Sequence, residues 1–217
     1  MKPLGLILLL GVVSGCSASK GSVTLSTDHT HRLYAQAFDQ AYIGSSHDGE
    51  YDVVMIQEPQ TQQKAKSAWN WRDVLKPSTN ASKPLQPVTS AAAVRQVVHL
   101  HVFWQASGGS VAKDGVVTNA AIDWYVIAHD ANDAPQVLRY EGAGYVVIDE
   151  GRLGTSVSIR DGSMKMTQAR GDLQDPFGMT KLIGTVKAQR NGQFVRDTLT
   201  DLKAQTAGAK TVVSEVR

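Results

Sequence analysis

Residues 97–105, VVHLHVFWQ, and residues 117–129, VTNAAIDWYVIAH, decide the fold. In the second stretch Ile122, Trp124, Val126 and Ala128 fall on one side of an extended chain, with Ala121, Asp123, Tyr125 and Ile127 on the other. Residues two apart share a face of a strand, so this alternation marks strands with one side turned to a core. The same period continues through QVLRYEGAGYVVID (136–149), TSVSIR (155–160), SMKMTQAR (163–170) and TKLIGTVKA (180–188). Turn residues separate the runs: Lys113-Asp114-Gly115, Asn132-Asp133-Ala134-Pro135, Asp149-Glu150-Gly151, Asp161-Gly162 and Asn191-Gly192. Connections this short leave no room for crossover helices, so neighbours pair antiparallel in a meander. Gly142-Ala143-Gly144 strips side chains from the middle of a long strand, where a sheet bends sharply or bulges.

The flanks carry a different period. From His31, the residues Leu33, Tyr34, Ala37, Phe38, Ala41 and Tyr42 recur at three- and four-residue steps, and Gly44 follows as a stop, which predicts an N-terminal helix. Tyr51 to Ile56 reads as a short strand after Asp48-Gly49. Residues 57–90 form an irregular excursion with prolines at 59, 77, 84 and 87 and the pair Trp69 and Trp71. Phe194 to Leu202 places Val195, Leu199 and Leu202 on one face of a C-terminal helix. The expectation is an α+β fold: a long, curved antiparallel meander of about six strands with one N-terminal and one C-terminal helix covering it. A closed or half-open β-barrel is the alternative, because long meandering strands can also close. The divisions read as 1–15, 16–30, a single domain over 31–205, and a polar tail at 206–217.

The first of these divisions holds Met1-Lys2-Pro3, then an apolar run from Leu4 to Val13, then Val13-Ser14-Gly15-Cys16. About ten apolar residues suit a signal-peptide core and are too few to span a bilayer, which takes about 20. The segment resembles the lipobox of bacterial lipoprotein precursors. That resemblance implies removal of residues 1–15 as a signal peptide and fatty acylation of Cys16, palmitate among the chains. Ser17 to Thr30, small and polar, reads as a flexible tether. Ser17 stands where inner-membrane retention often uses Asp, so the resemblance points to the outer membrane, facing the periplasm.

Cys16 is the chain's single cysteine, so acylation would leave no thiol for disulfides, thiolate–metal sites or nucleophilic catalysis. The 22 basic and 20 acidic residues nearly balance, without a dense basic block, which argues against nucleic acid as a partner. The partners to expect are the membrane, through the acyl chains, and an envelope protein.

His99-Leu100-His101 is the sharpest chemical feature. Two imidazoles on one strand face could converge on a metal, with His129 and Asp123 on the next strand. The segment resembles the His-x-His strand of alpha-type carbonic anhydrases, which implies a zinc-dependent reaction; the residues that surround the metal-bound water in that family have no counterpart here. Pairing about the 106–117 connection puts residues 99–101 opposite roughly 122–125, leaving His129 too far along its strand to join them. The competing reading places His99 and His101 on the exposed face, with Leu100 and Val102 inward. Asp123, Glu141 and Asp149 lie on adjacent strands as carboxylates of solvated faces. Asp175-Pro176-Phe177-Gly178 reads as a turn. No nucleophile elbow, phosphate loop or dinucleotide fingerprint occurs, so neither a catalytic residue nor a cofactor is expected. The leading expectation is a non-catalytic lipoprotein that binds a partner protein or envelope component. The second is a small-molecule or lipid-binding module on the concave face near Trp104 and Trp124. The third is a zinc enzyme using His99, His101 and His129.

Overall fold

The computed structural model describes residues 21–27, 33–46, 49–59, 94–105, 118–152, 154–171, 173, 175 and 177–211. Most of these lie in strands: β1 (Gly21–Thr27), β2 (Leu33–Phe38), β3 (Gln40–Ser45), β4 (Tyr51–Gln57), β5 (Arg95–Val102), β6 (Ala120–His129), β7 (Pro135–Gly151), β8 (Gly154–Arg170), β9 (Thr180–Arg190) and β10 (Lys210–Thr211). One α-helix, α1 (Gly192–Thr206), stands among them. The cysteine motif, the Trp69–Trp71 pair and the 106–117 connection lie outside the described residues.

From β3 to β9 each strand pairs antiparallel with the next, as the short turn-rich connections require. A short parallel pairing of Tyr42 with Gln189 and Ile43 with Arg190 joins β3 to β9, so these strands form a closed ring of hydrogen-bonded neighbours. β1 pairs with β9 and β2, and β10 lies along the far end of β8.

Three expectations are corrected. The segment from His31 to Gly44 is not a helix; its described part forms β2 and β3, with Phe38, Ala41 and Ile43 buried. Apolar residues at helical spacing lost to the edges of β1, β4 and β9, which satisfy the backbone of this segment as strand; a lone helix of this length is marginal in water. Gly44 serves a close approach instead, since a Cβ there would lie 2.8 Å from Gly192 Cα at the start of α1. Gly21–Thr27, expected within the tether, is strand β1. Asp161-Gly162 does not turn the chain: the two predicted strands about it are one, β8, with a register shift between Ile159 and Gly162.

That shift belongs to the strong coiling of the β7–β8 pair. Each strand has 17 residues, about 56 Å if straight, far more than a ring of this size accommodates without bending. A Cβ on Gly142 would lie 1.9 Å from the Ser163 carbonyl oxygen, and one on Gly144 would lie 2.4 Å from that of Asp161. Glycine lets the two backbones press together where the sheet curls.

The inner face is filled by side chains of the strands and of the β8–β9 connection, not by two covering helices. Trp124, Tyr140 and Phe177 meet there with ring centroids 5.0 to 5.6 Å apart, joined by Leu100, Ile122, Leu138 and Met164. Burying each large aromatic side chain contributes about 2–3 kcal/mol. α1 packs outside the ring, where Leu202, Phe194 and Leu199 cover Ile56, Val97, Ile127 and Val137. Asn191 caps it by accepting from Phe194 N at 3.1 Å, so the predicted Asn-Gly turn is the helix start.

Candidate functional site

The chemistry-bearing side chains gather on the outer face of β4–β7, beside the part that α1 covers. Alternation puts Leu100 and Val102 inward and His99 and His101 outward, both partly buried. Register does the rest: His101 stands opposite Asp52, His99 opposite Asp123, and Asp123 opposite Glu141. Asp52 Oδ1 lies 2.9 Å from His99 Nε2 and 2.8 Å from His101 Nδ1. The other ring nitrogen of His99 is 3.5 Å from Asp123 Oδ2. Asp123 Oδ1 accepts from Arg139 Nε at 3.2 Å and from its terminal nitrogen at 2.9 Å. That guanidinium also reaches Glu141 at 2.8 Å, and its Cζ sits 5.5 Å from the centroid of the Tyr125 ring. The groups form a connected chain, His101–Asp52–His99–Asp123–Arg139–Glu141.

A neutral imidazole has one N–H, so His99 can donate to both flanking carboxylates only as the cation. Burial works against that charge, yet the hydrogen bonds to Asp123 and Asp52 outweigh it and hold the His99 pKa above its ordinary value. Burial raises Asp52 as well; hydrogen bonds from His99 and His101 reverse this and leave it below the ordinary carboxylate range. Asp123 behaves likewise, with burial opposed by His99 and Arg139. Burial, with the Asp123 charge nearby, pushes the Tyr125 hydroxyl up to about 12.

The structure separates the remaining candidate residues. His129 is the last residue of β6, opposite Pro135, well away from His99 and His101. Among the described residues, no group of three or more His, Cys, Asp or Glu side chains is placed to hold a metal ion. His99 Nε2 and His101 Nδ1 both face one Asp52 oxygen, and His99 Nδ1 faces Asp123. Trp124 is fully buried against Tyr140 and Phe177, whereas Trp104 follows the end of β5 and is 41 % exposed, so the two tryptophans do not line one surface. Phe103, 46 % exposed, lies between Trp104 and the cluster, its ring edge-on to His101 at 4.9 Å.

Two residues escape notice in the sequence. Asp52 sits in an apolar strand, YDVVMI, where only its outward parity hinted at a partner. Asn119, 1 % exposed, donates to Trp104 O at 3.1 Å and Val146 O at 2.8 Å and accepts from Val146 N at 2.8 Å, tying the connection before β6 to β7. In the predicted Asp175–Gly178 turn, Asp175 Oδ1 accepts from Phe177 N at 2.9 Å, Gly178 N at 3.1 Å and the Tyr140 hydroxyl at 2.8 Å. This anchors Phe177 in the core, and burial beside Asp175 drives the Tyr140 pKa far up. The turn is structural.

No family model matches the chain, and no curated protein or solved structure is significantly similar to it.

Proposed function

We propose that the protein is a lipid-anchored protein of the bacterial envelope, held through Cys16 on the periplasmic side of the outer membrane, and that it works as a binding module for an envelope protein. The single observation that carries the binding reading is the division of labour between the ring's two faces. The inner face is closed by Trp124, Tyr140 and Phe177, while the ionisable groups outside are engaged with one another beside two exposed aromatic side chains. We read the ring as a small closed barrel with a solid interior. Recognition then falls to the surface, where Phe103 and Trp104 offer the apolar anchors that interfaces favour, next to the polar rim of His101 and Asp52.

A photo-crosslinking residue at position 104 tests this in intact cells. The expected result is one discrete protein adduct, lost when the crosslinker is moved to exposed Lys203 on α1. Absence of any adduct at 103 and 104 overturns the binding reading. Separately, Cys16→Ala should release the protein from the membrane fraction and remove the mass of the acyl chains. Retention of both overturns the anchor.

A further inference from the structure

Strand β9 carries an outward row that neither the ionic cluster nor α1 touches. Along it the even residues Thr180, Leu182, Val186 and Ala188 are buried, whereas Lys181, Ile183, Thr185 and Lys187 are exposed. Met179, just before the strand, continues the outward parity. Ile183 is 50 % and Met179 53 % exposed, and with Phe103 and Trp104 they are the exposed large apolar side chains of the described residues. The strands on either side offer hydroxyls: Ser163 stands opposite Lys181 and Ser158 opposite Thr185 on β8, while Thr24 stands opposite Ile183 on β1. At the β8 bulge Arg160 and Asp161 are both exposed and offset each other in charge. The row therefore interleaves apolar and basic side chains in the order Met179, Lys181, Ile183, Thr185 and Lys187.

Its position relative to the N-terminus makes the row informative. Ser22 pairs with Thr185, so the chain enters β1 alongside the middle of β9. Residues 16 to 21 span at most about 17 Å when fully extended. An acylated Cys16 thus holds the bilayer within that reach of the β9 row.

We propose that the outer row of β9 lies against the membrane that anchors the protein, with Ile183 and Met179 at the headgroup level and Lys181 paired with anionic lipid headgroups. This rests on reading Cys16 as the acyl attachment point. A two-chain anchor supplies the affinity; the row selects which side of the domain faces down and which side, bearing Phe103 and Trp104, stays free for a partner.

The test uses full-length acylated protein in vesicles of phosphatidylethanolamine and phosphatidylglycerol. Because the only native cysteine is acylated, a nitroxide on Ile183→Cys reports that position alone, with Lys203→Cys as the control. Both sites are exposed, so labelling leaves the core intact. The label at 183 is expected to be several-fold more accessible to lipid-dissolved oxygen, and less to an aqueous nickel reagent, than the label at 203. Lys181→Glu should lower the membrane-contacting population about fivefold, and phosphatidylcholine vesicles should lower it similarly. Equal water exposure at 183 and 203 in protein carrying the acyl mass overturns the proposed face and leaves the anchor standing. Protection that is unchanged in phosphatidylcholine overturns the headgroup pairing. Protein without acyl mass overturns the anchor and the proposed face together.

Discussion

The outer face of β4–β7 has two halves built on the same strands. On β5, Val97 lies under α1 against Leu202, while His99 and His101, the next residues of that face, lie in the ionic chain. On β6, Ile127 is in the covered half and Asp123 in the open half, with Tyr125 at the boundary. α1 has 15 residues, about 22 Å of helix, and shields one end of the strands only. Where it reaches, removal of apolar surface from water holds the sheet, an interaction without direction. Where it stops, directed hydrogen bonds between charges take over, and these depend on protonation in a way that burial does not.

The largest perturbation breaks both halves together. Gly142→Ala puts a Cβ into the Ser163 backbone, and β7 cannot then keep its pairing with β8 while still presenting Arg139 and Val137. A loss on the order of 4 kcal/mol, at the top of the range for one substitution, is expected in urea unfolding. Leu202→Ala separates the halves. It should cost about 3 kcal/mol by emptying the seam under α1 and leave the pH dependence of stability unchanged.

Asp52→Asn does the reverse. It removes the negative charge that two histidines share, at a cost of about 2 kcal/mol, and should alter the pH profile. The sign follows from linkage. Asp52 and Asp123 have folded pKa values below 3.8, so their contribution is complete above that pH and fades as pH falls through the lower folded values. His99 has a folded value above 6.5, so its contribution is complete below 6.5 and fades as pH rises through the folded value. The cluster is therefore most stabilising between about pH 4 and pH 6.5, and wild-type urea midpoints should fall on the alkaline side. His99→Gln should remove that decline; an unaltered decline would mean another group causes it. The smallest effect belongs to the helix start, where Asn191→Ala should cost about 1 kcal/mol and loosen only the covered half, as hydrogen exchange along α1 would show.

Much of this arrangement was legible beforehand. The period of two assigned β5, β6, β7 and β9, and it separated Leu100 and Trp124 from His99 and Asp123. Local spacing suffices for that, because strand alternation is a property of the backbone. The register estimate about the 106–117 connection put residues 99–101 opposite roughly 122–125, close to the observed 121–123, and left His129 apart. The helical reading of Leu33 to Tyr42 failed because apolar spacing in a short segment fits either period, and the choice was made by distant strand edges. Asp161-Gly162 misled for a related reason: the same dipeptide that turns a hairpin also serves a bulge in a coiled pair.

By itself the sequence determined the alternation of faces, the antiparallel pairing of neighbouring strands, the C-terminal helix and the glycines that let β7 coil. These follow from side-chain period, connection length and steric freedom, all of them local. Only the tertiary structure decided that β3 meets β9 to close the ring, that Phe177 completes the interior, and that Asp52 binds both histidines. Each of those joins residues far apart in the chain, and their proximity results from how seven strands curl together, which no single segment specifies.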